Sequence, residues 1–164
     1  MTSKLSLGYF RAHFRYLDKK MVNTSLFVDG PITKVQLGRF LHQDWPDVES
    51  GSIVVFQGWV QTDVLDGKAV AAINYTAHRD MGEQRLAVIK RELLSMHPNS
   101  TMVVKHSLGR VHTGECFFFV KVVAPRRATA SSLCKQLVNR IKAELPILGE
   151  PAFEGGSYQV KGAV

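Results

Sequence analysis

The most apolar stretches of this chain, Ser52 to Val60 and Cys116 to Ala124, are nine residues each. That is strand length, about half of the roughly 18 to 20 apolar residues a helix needs to cross a bilayer, so no membrane span is expected. Turn-forming residues bracket both stretches: Gly51 and Asp66-Gly67 around the first, Gly114 and Pro125 around the second. A chain punctuated in this way is confined to short strands with helices laid against them. With 164 residues it can bury one core and is short for two domains of ordinary size.

The pattern predicts a short strand over Ser25 to Val28 and a turn at Asp29-Gly30-Pro31. Thr33 then caps a helix to about Gln43 with Val35, Phe40 and Leu41 inward, and a loop follows from Asp44 to Gly51. In Ser52 to Gln61, Val54, Phe56, Gly58 and Val60 share one face and Ile53, Val55, Gln57 and Trp59 the other. Gly58 there suggests a bulge or a close backbone approach. Asp66-Gly67 is a hairpin signal that would pair Ala69 to Thr76 back onto this strand.

Asp80 to His97 reads as a helix with Leu86, Ile89, Leu93 and Met96 inward. Thr101 to His106 and Glu115 to Ala124 read as strands joined through Gly109 and Gly114. Ala128 to Leu145 is a second long helix with Leu133, Leu137 and Ile141 inward, closed by Pro146. Short strands or turns around Ile147 to Phe153 and Tyr158 to Lys161 complete an α/β (α+β) fold, a mainly antiparallel sheet with helices packed against it. No Walker-type or GxGxxG loop suggests a nucleotide fold.

Charge is uneven. Of a formal net charge of +7, +4 falls in residues 1–24, where Lys4, Arg11, Arg15, Lys19 and Lys20 face one acid, Asp18. This arm mixes its cations with Tyr9, Phe10, Phe14 and Tyr16. Such a composition suits an organelle-targeting presequence, which would make the protein mitochondrial. It equally suits a retained tail whose cations neutralise RNA phosphates while its rings stack on bases, or a solvated terminus on a cytoplasmic protein. Residues 25–164 form the domain.

Cys116 and Cys134 lack partners at metal-ligand spacing and read as buried free thiols. The six histidines show no HxxxH or HExxH spacing, His106 and His112 straddle a predicted turn, and surface or capping roles are expected for all of them. No metal site is expected, and no GxSxG elbow supports covalent hydrolysis. Positive charge does gather around the last helix. Arg126 and Arg127 precede it, where free N–H groups also favour anions; Lys142 lies 15 residues beyond Arg127, and Lys135 and Arg140 project nearby. Solvated basic side chains on a helix are the ordinary alternative.

Read together, Phe56-Gln57-Gly58-Trp59-Val60, Tyr75 followed by Met81-Gly82-Glu83, His106-Ser107-Leu108-Gly109 with Gly114-Glu115, Arg127 with Ala130, and Lys142 with Pro146 form an ordered series. In order and spacing it resembles the large, catalytic subunit of molybdopterin synthase, the MoaE family, from about Leu26 to Val160. The resemblance implies the MoaE-like α/β-hammerhead fold and a homodimer. It also implies a small ubiquitin-like partner subunit whose C-terminal Gly-Gly thiocarboxylate donates sulfur to cyclic pyranopterin monophosphate, making the dithiolene of molybdopterin. That pterin precursor would be a substrate, and no covalently bound cofactor is implied.

The same resemblance implies that Lys142 is the catalytic lysine and that Arg127 binds anionic groups, with Arg126 or Lys161 as anion-binding groups that would replace charge lost elsewhere. It also marks departures. Arg126 stands where the family has histidine, Gln61 where it has arginine and Gly149 where it has a second lysine, while Tyr158 keeps an aromatic. A cation binds an anion through charge-assisted hydrogen bonds of about 1.5–3 kcal/mol each, so each loss weakens the site. Two readings follow: a catalytically degenerate subunit of a protein assembly such as a mitochondrial ribonucleoprotein or ribosome, and an active molybdopterin synthase large subunit.

Overall fold

The structure, a computed structural model, describes residues 25–43 and 50–154. The five basic residues of the arm, and Tyr158 and Lys161, lie outside this range. Ten elements are laid out as β1 (Phe27–Asp29), α1 (Lys34–His42), β2 (Ser52–Trp59), β3 (Val64–Leu65), β4 (Lys68–Ala77), α2 (Arg79–Met96), β5 (Thr101–His112), β6 (Cys116–Ala124), α3 (Arg127–Glu144) and β7 (Ile147–Phe153). The strands form a seven-stranded sheet in the order β2-β6-β5-β4-β3, with β1 beside β5 and β7 beside β4. Every pairing is antiparallel except that of β1 with β5, as expected from the hairpin pattern. Among the described residues no helix is long and apolar enough to cross a membrane.

One connection differs from its expectation. Asp66 and Gly67 both have positive φ, 52° and 74°, the pair of values a two-residue type I′ turn requires. The turn nevertheless joins only Val64–Leu65 to Lys68–Ala69. β4 then pairs with β5 and β7, and β2 pairs with β6 instead. The reason is burial. β6 is covered on both faces and reads as an apolar run broken only by Lys121, whereas β2 alternates half-buried and exposed residues and fits the edge of the sheet. Gly58 carries both features expected of it: the register shifts at Gly58/Trp59, and a Cβ there would lie 2.9 Å from the Phe117 ring.

The main core lies between the sheet and α2 and α3. Ile89 and Leu93 of α2 and Leu133, Leu137 and Ile141 of α3 meet Phe118, Val120 and Val122 of β6, each such side chain contributing on the order of 1.5–3 kcal/mol. Met96 is exposed, because the inward stripe of α2 passes through Leu94 at that end. Val35 and Leu41 are likewise exposed, whereas Leu37 and Phe40, three residues apart, face the sheet.

The opposite face holds a smaller cluster of Ile32, Val103, Cys116 and Phe119, covered by α1. Thr33 caps that helix in a capping box with Gln36. Two buried lysines fasten the same segment. Lys121 donates to the carbonyls of Leu41, at 3.0 Å, and Gln43, and Lys105 donates to the Ser25 carbonyl while lying 5.1 Å from the Phe40 ring centre. Burial pushes the Lys105 pKa down, against the opposing pull of Glu83. Both cysteines are buried free thiols, whose pKa values burial pushes up.

Candidate active site

Two ends of α3 carry the cations singled out in the sequence. At its start, Arg126 is the N-cap residue and makes no side-chain capping bond; both it and Arg127 are exposed. At its end Lys142 occupies the last turn, where a cation also complements the helix dipole. The 15 residues from Arg127 to Lys142 span about 22 Å at 1.5 Å per residue. Within one chain, therefore, the expected cluster of Arg126, Arg127 and Lys142 is not a cluster. Arg140 is also committed elsewhere: its guanidinium holds Glu92 and Glu144, each at 2.6 Å, and Arg85 joins Glu144 from α2. This network bridges the two long helices and raises the Arg140 pKa while lowering that of Glu144.

Lys142 itself borders a cleft. Ile141 and Leu145, one turn apart, turn into the core and leave Lys142 at the edge of the seam between helix and sheet. Pro146 ends the helix and sends the chain directly into β7, bringing Ile147 and Gly149 to the same place. β4, β5 and β6 supply Tyr75, His106, Phe117 and Phe118, and the enclosed space is about 150 Å³. The Lys142 ammonium lies 5.8 Å from the Phe56 ring centre, a cation–π contact. It has no carboxylate partner among the described residues.

The walls are aromatic and locked. Tyr75 stacks on Phe117, with ring centres 5.0 Å apart and planes at 17°, and meets His106 edge-on at 5.0 Å. The His106 Nδ1 lies 2.8 Å from the Ser107 carbonyl, which fixes Nδ1 as the protonated nitrogen of a neutral ring. Burial lowers the His106 pKa and pushes that of Tyr75 up to about 12. At neutral pH the phenol and the imidazole that line the cleft are thus both neutral. The cleft suits a slender group ending in negative charge.

Sequence reading gave neither Tyr75 nor His106 a place in the site. His106 was expected at the surface or as a cap; it is 6% exposed, in the same strand as His112, because β5 runs on through Gly109 at φ +87°. Its inward place in the alternation of β5 was the available signal. His78 does cap α2, its Nδ1 accepting from the Met81 amide. Of the positions marked as departures, Gln61 follows the end of β2 and is exposed. Gly149 pairs with Tyr75 across β4 and β7, and a Cβ there would meet the Tyr75 ring at 2.9 Å. Among the described residues no group of histidine, cysteine or carboxylate side chains could hold a metal ion.

Residues 32–144 match the family model described as MoaE protein. The molybdopterin synthase catalytic subunit of Oryza sativa subsp. indica is 34% identical over 110 residues, covering 67% of this chain and 56% of that one. The corresponding subunit of Thermoplasma volcanium is 29% identical over 109 residues, 66% of this chain and 79% of that one. The matched region therefore spans little more than half the rice protein's length. Among solved structures, molybdopterin synthase from Staphylococcus aureus superposes with a TM-score of 0.71 at 25% identity, covering 82% of this chain and 95% of that one. The protein–protein complex of subunits 1 and 2 of the molybdopterin-converting factor from Helicobacter pylori shares the fold, with a TM-score of 0.68 at 16% identity, covering 82% and 88% of the two chains. With its motif series, its fold and these matches in agreement, the chain belongs to the MoaE family.

Proposed function

We propose that this chain is the large subunit of a molybdopterin synthase and that Lys142 is its central catalytic residue. In this reading a small ubiquitin-like partner delivers a C-terminal thiocarboxylate, whose sulfur passes to cyclic pyranopterin monophosphate. The observation that carries the proposal is the Lys142 ammonium, free of any described carboxylate, at the edge of a neutral aromatic cleft. Lys142 is exposed at the mouth of the cleft, where an ammonium is placed to meet negative charge that develops in a transition state. The similarity to molybdopterin synthases favours this reading over a ribonucleoprotein subunit.

Arg126 and Arg127 enter as anion-binding groups from a second copy, since their own helix holds them about 22 Å from Lys142. A degenerate subunit is the second reading. Its supporting observation is Gly149, where a side chain of any kind would displace Tyr75. One assay separates the two: the purified chain with a thiocarboxylated small subunit and cyclic pyranopterin monophosphate. Turnover that falls about 100-fold or more in Lys142→Ala supports the proposal. Turnover indifferent to that change would remove Lys142 from the mechanism, and a chain without turnover would be the degenerate subunit.

A further inference from the structure

The Lys142 cleft contains a polar group that the structure positions and does not use. Tyr75 is 8% exposed and its ring is held on three sides, by Phe117, by His106 and by the bare backbone of Gly149. Its hydroxyl makes no hydrogen bond to any described residue, yet it is absent from the side-chain atoms sealed away without a partner, which are those of Asn74, Ser100, Thr101 and Ser107. A buried phenol ordinarily finds a partner for its O–H. The hydroxyl is reachable from the cleft, so it pairs there with water or with a group that displaces that water.

Size decides what that is. A cavity of 150 Å³ admits a group about as large as benzene, or roughly five waters at 30 Å³ each. The cleft takes the end of an unbranched peptide whole, and only a part of a fused pyranopterin bearing a phosphate. Resting on the reading above, we propose that Tyr75 is a further substrate-binding residue. Its hydroxyl donates to the acyl end of the partner's entering tail, with Lys142 holding the charge of that end and the pterin kept outside. Burial keeps the phenol protonated, and so a donor, to about pH 12. Gly149 has a role in this arrangement, because any side chain there would push the ring away from its place.

The test is calorimetric titration of the full chain with a short peptide ending in Gly-Gly carboxylate, comparing wild type, Tyr75→Phe and Lys142→Ala. Tyr75→Phe keeps the stacked ring and removes one donor, so its dissociation constant should rise about three- to tenfold, with the thermal midpoint unchanged. Lys142→Ala should weaken binding further. Wild-type affinity in Tyr75→Phe overturns the role of Tyr75, and absence of peptide binding by the wild type overturns the assignment of the cleft. Turnover in the reconstitution assay, measured on the same preparations, reports on the proposed function separately, so that failure of one is not mistaken for failure of the other.

Discussion

Tyr75 illustrates how much one residue of the site does. It fills the space over Gly149, closes the aromatic wall and lines the same cleft as Lys142. It also couples the site to alkaline pH. Its folded pKa of about 12 lies above the usual 10, so the folded state keeps a proton that the unfolded chain would release. The resulting stabilisation is complete below pH 10 and is lost as pH rises from 10 to 12. Denaturant midpoints measured across that window should fall for the wild type and fall less for Tyr75→Phe; equal slopes would mean that Tyr75 does not sense the interior. Lys105 works in the opposite sense: its lowered pKa is a penalty at neutral pH that is relieved as pH approaches 10.5.

Among the elements, the two long helices and both apolar strands were legible in the sequence because each carries its own periodicity. α3 begins and ends within a residue of its expected limits, since Pro125 and Pro146 bound it. What could not be read was which strand meets which. The Asp66-Gly67 turn is a local signal and held locally, but the pairing of β2 with β6 depends on burial shared across the sheet. Of the three residues expected to face inward from α1, Phe40 does and Val35 and Leu41 do not, because the cover of this helix comes from Phe119 and from two buried lysines that periodicity in α1 does not reveal. Lys121 fastens the end of that helix. Lys121→Met should leave the Leu41 and Gln43 carbonyls without their donor and cost about 1–3 kcal/mol, seen as faster amide exchange over residues 34–43 while the strands keep their protection. Unchanged exchange there would show that the helix does not depend on the lysine.

For the whole molecule, the candidate site was legible as a set of residue types and not as a geometry. Arg127 and Lys142 carry a charge pattern that sequence spacing reports, yet a rigid helix keeps them apart. On the proposed reading a second copy brings its Arg127 to Lys142, and Ile53, Val55 and Trp59, on the exposed face of the edge strand, offer that copy an apolar surface. Lys142→Ala and Arg127→Ala, each inactive alone, should then complement when mixed. Random reassociation across a two-fold interface gives roughly a quarter of the sites a full set of residues. A mixture as inactive as its parents would mean that a single copy builds the site.

The pairing of β2 with β6 has a further consequence, during synthesis. Its partners stand from 57 residues apart, Trp59 with Cys116, to 72 apart, Ser52 with Ala124. At about 5–20 residues per second, a ribosome needs on the order of 4 to 14 s to make the later strand once the earlier one exists. Through that interval Ser52–Trp59 waits as an apolar strand with both edges open, the form of chain most prone to pair with another. The last helix can dock only on the sheet that this closure completes, so the Lys142 cleft is among the last features of the molecule to form.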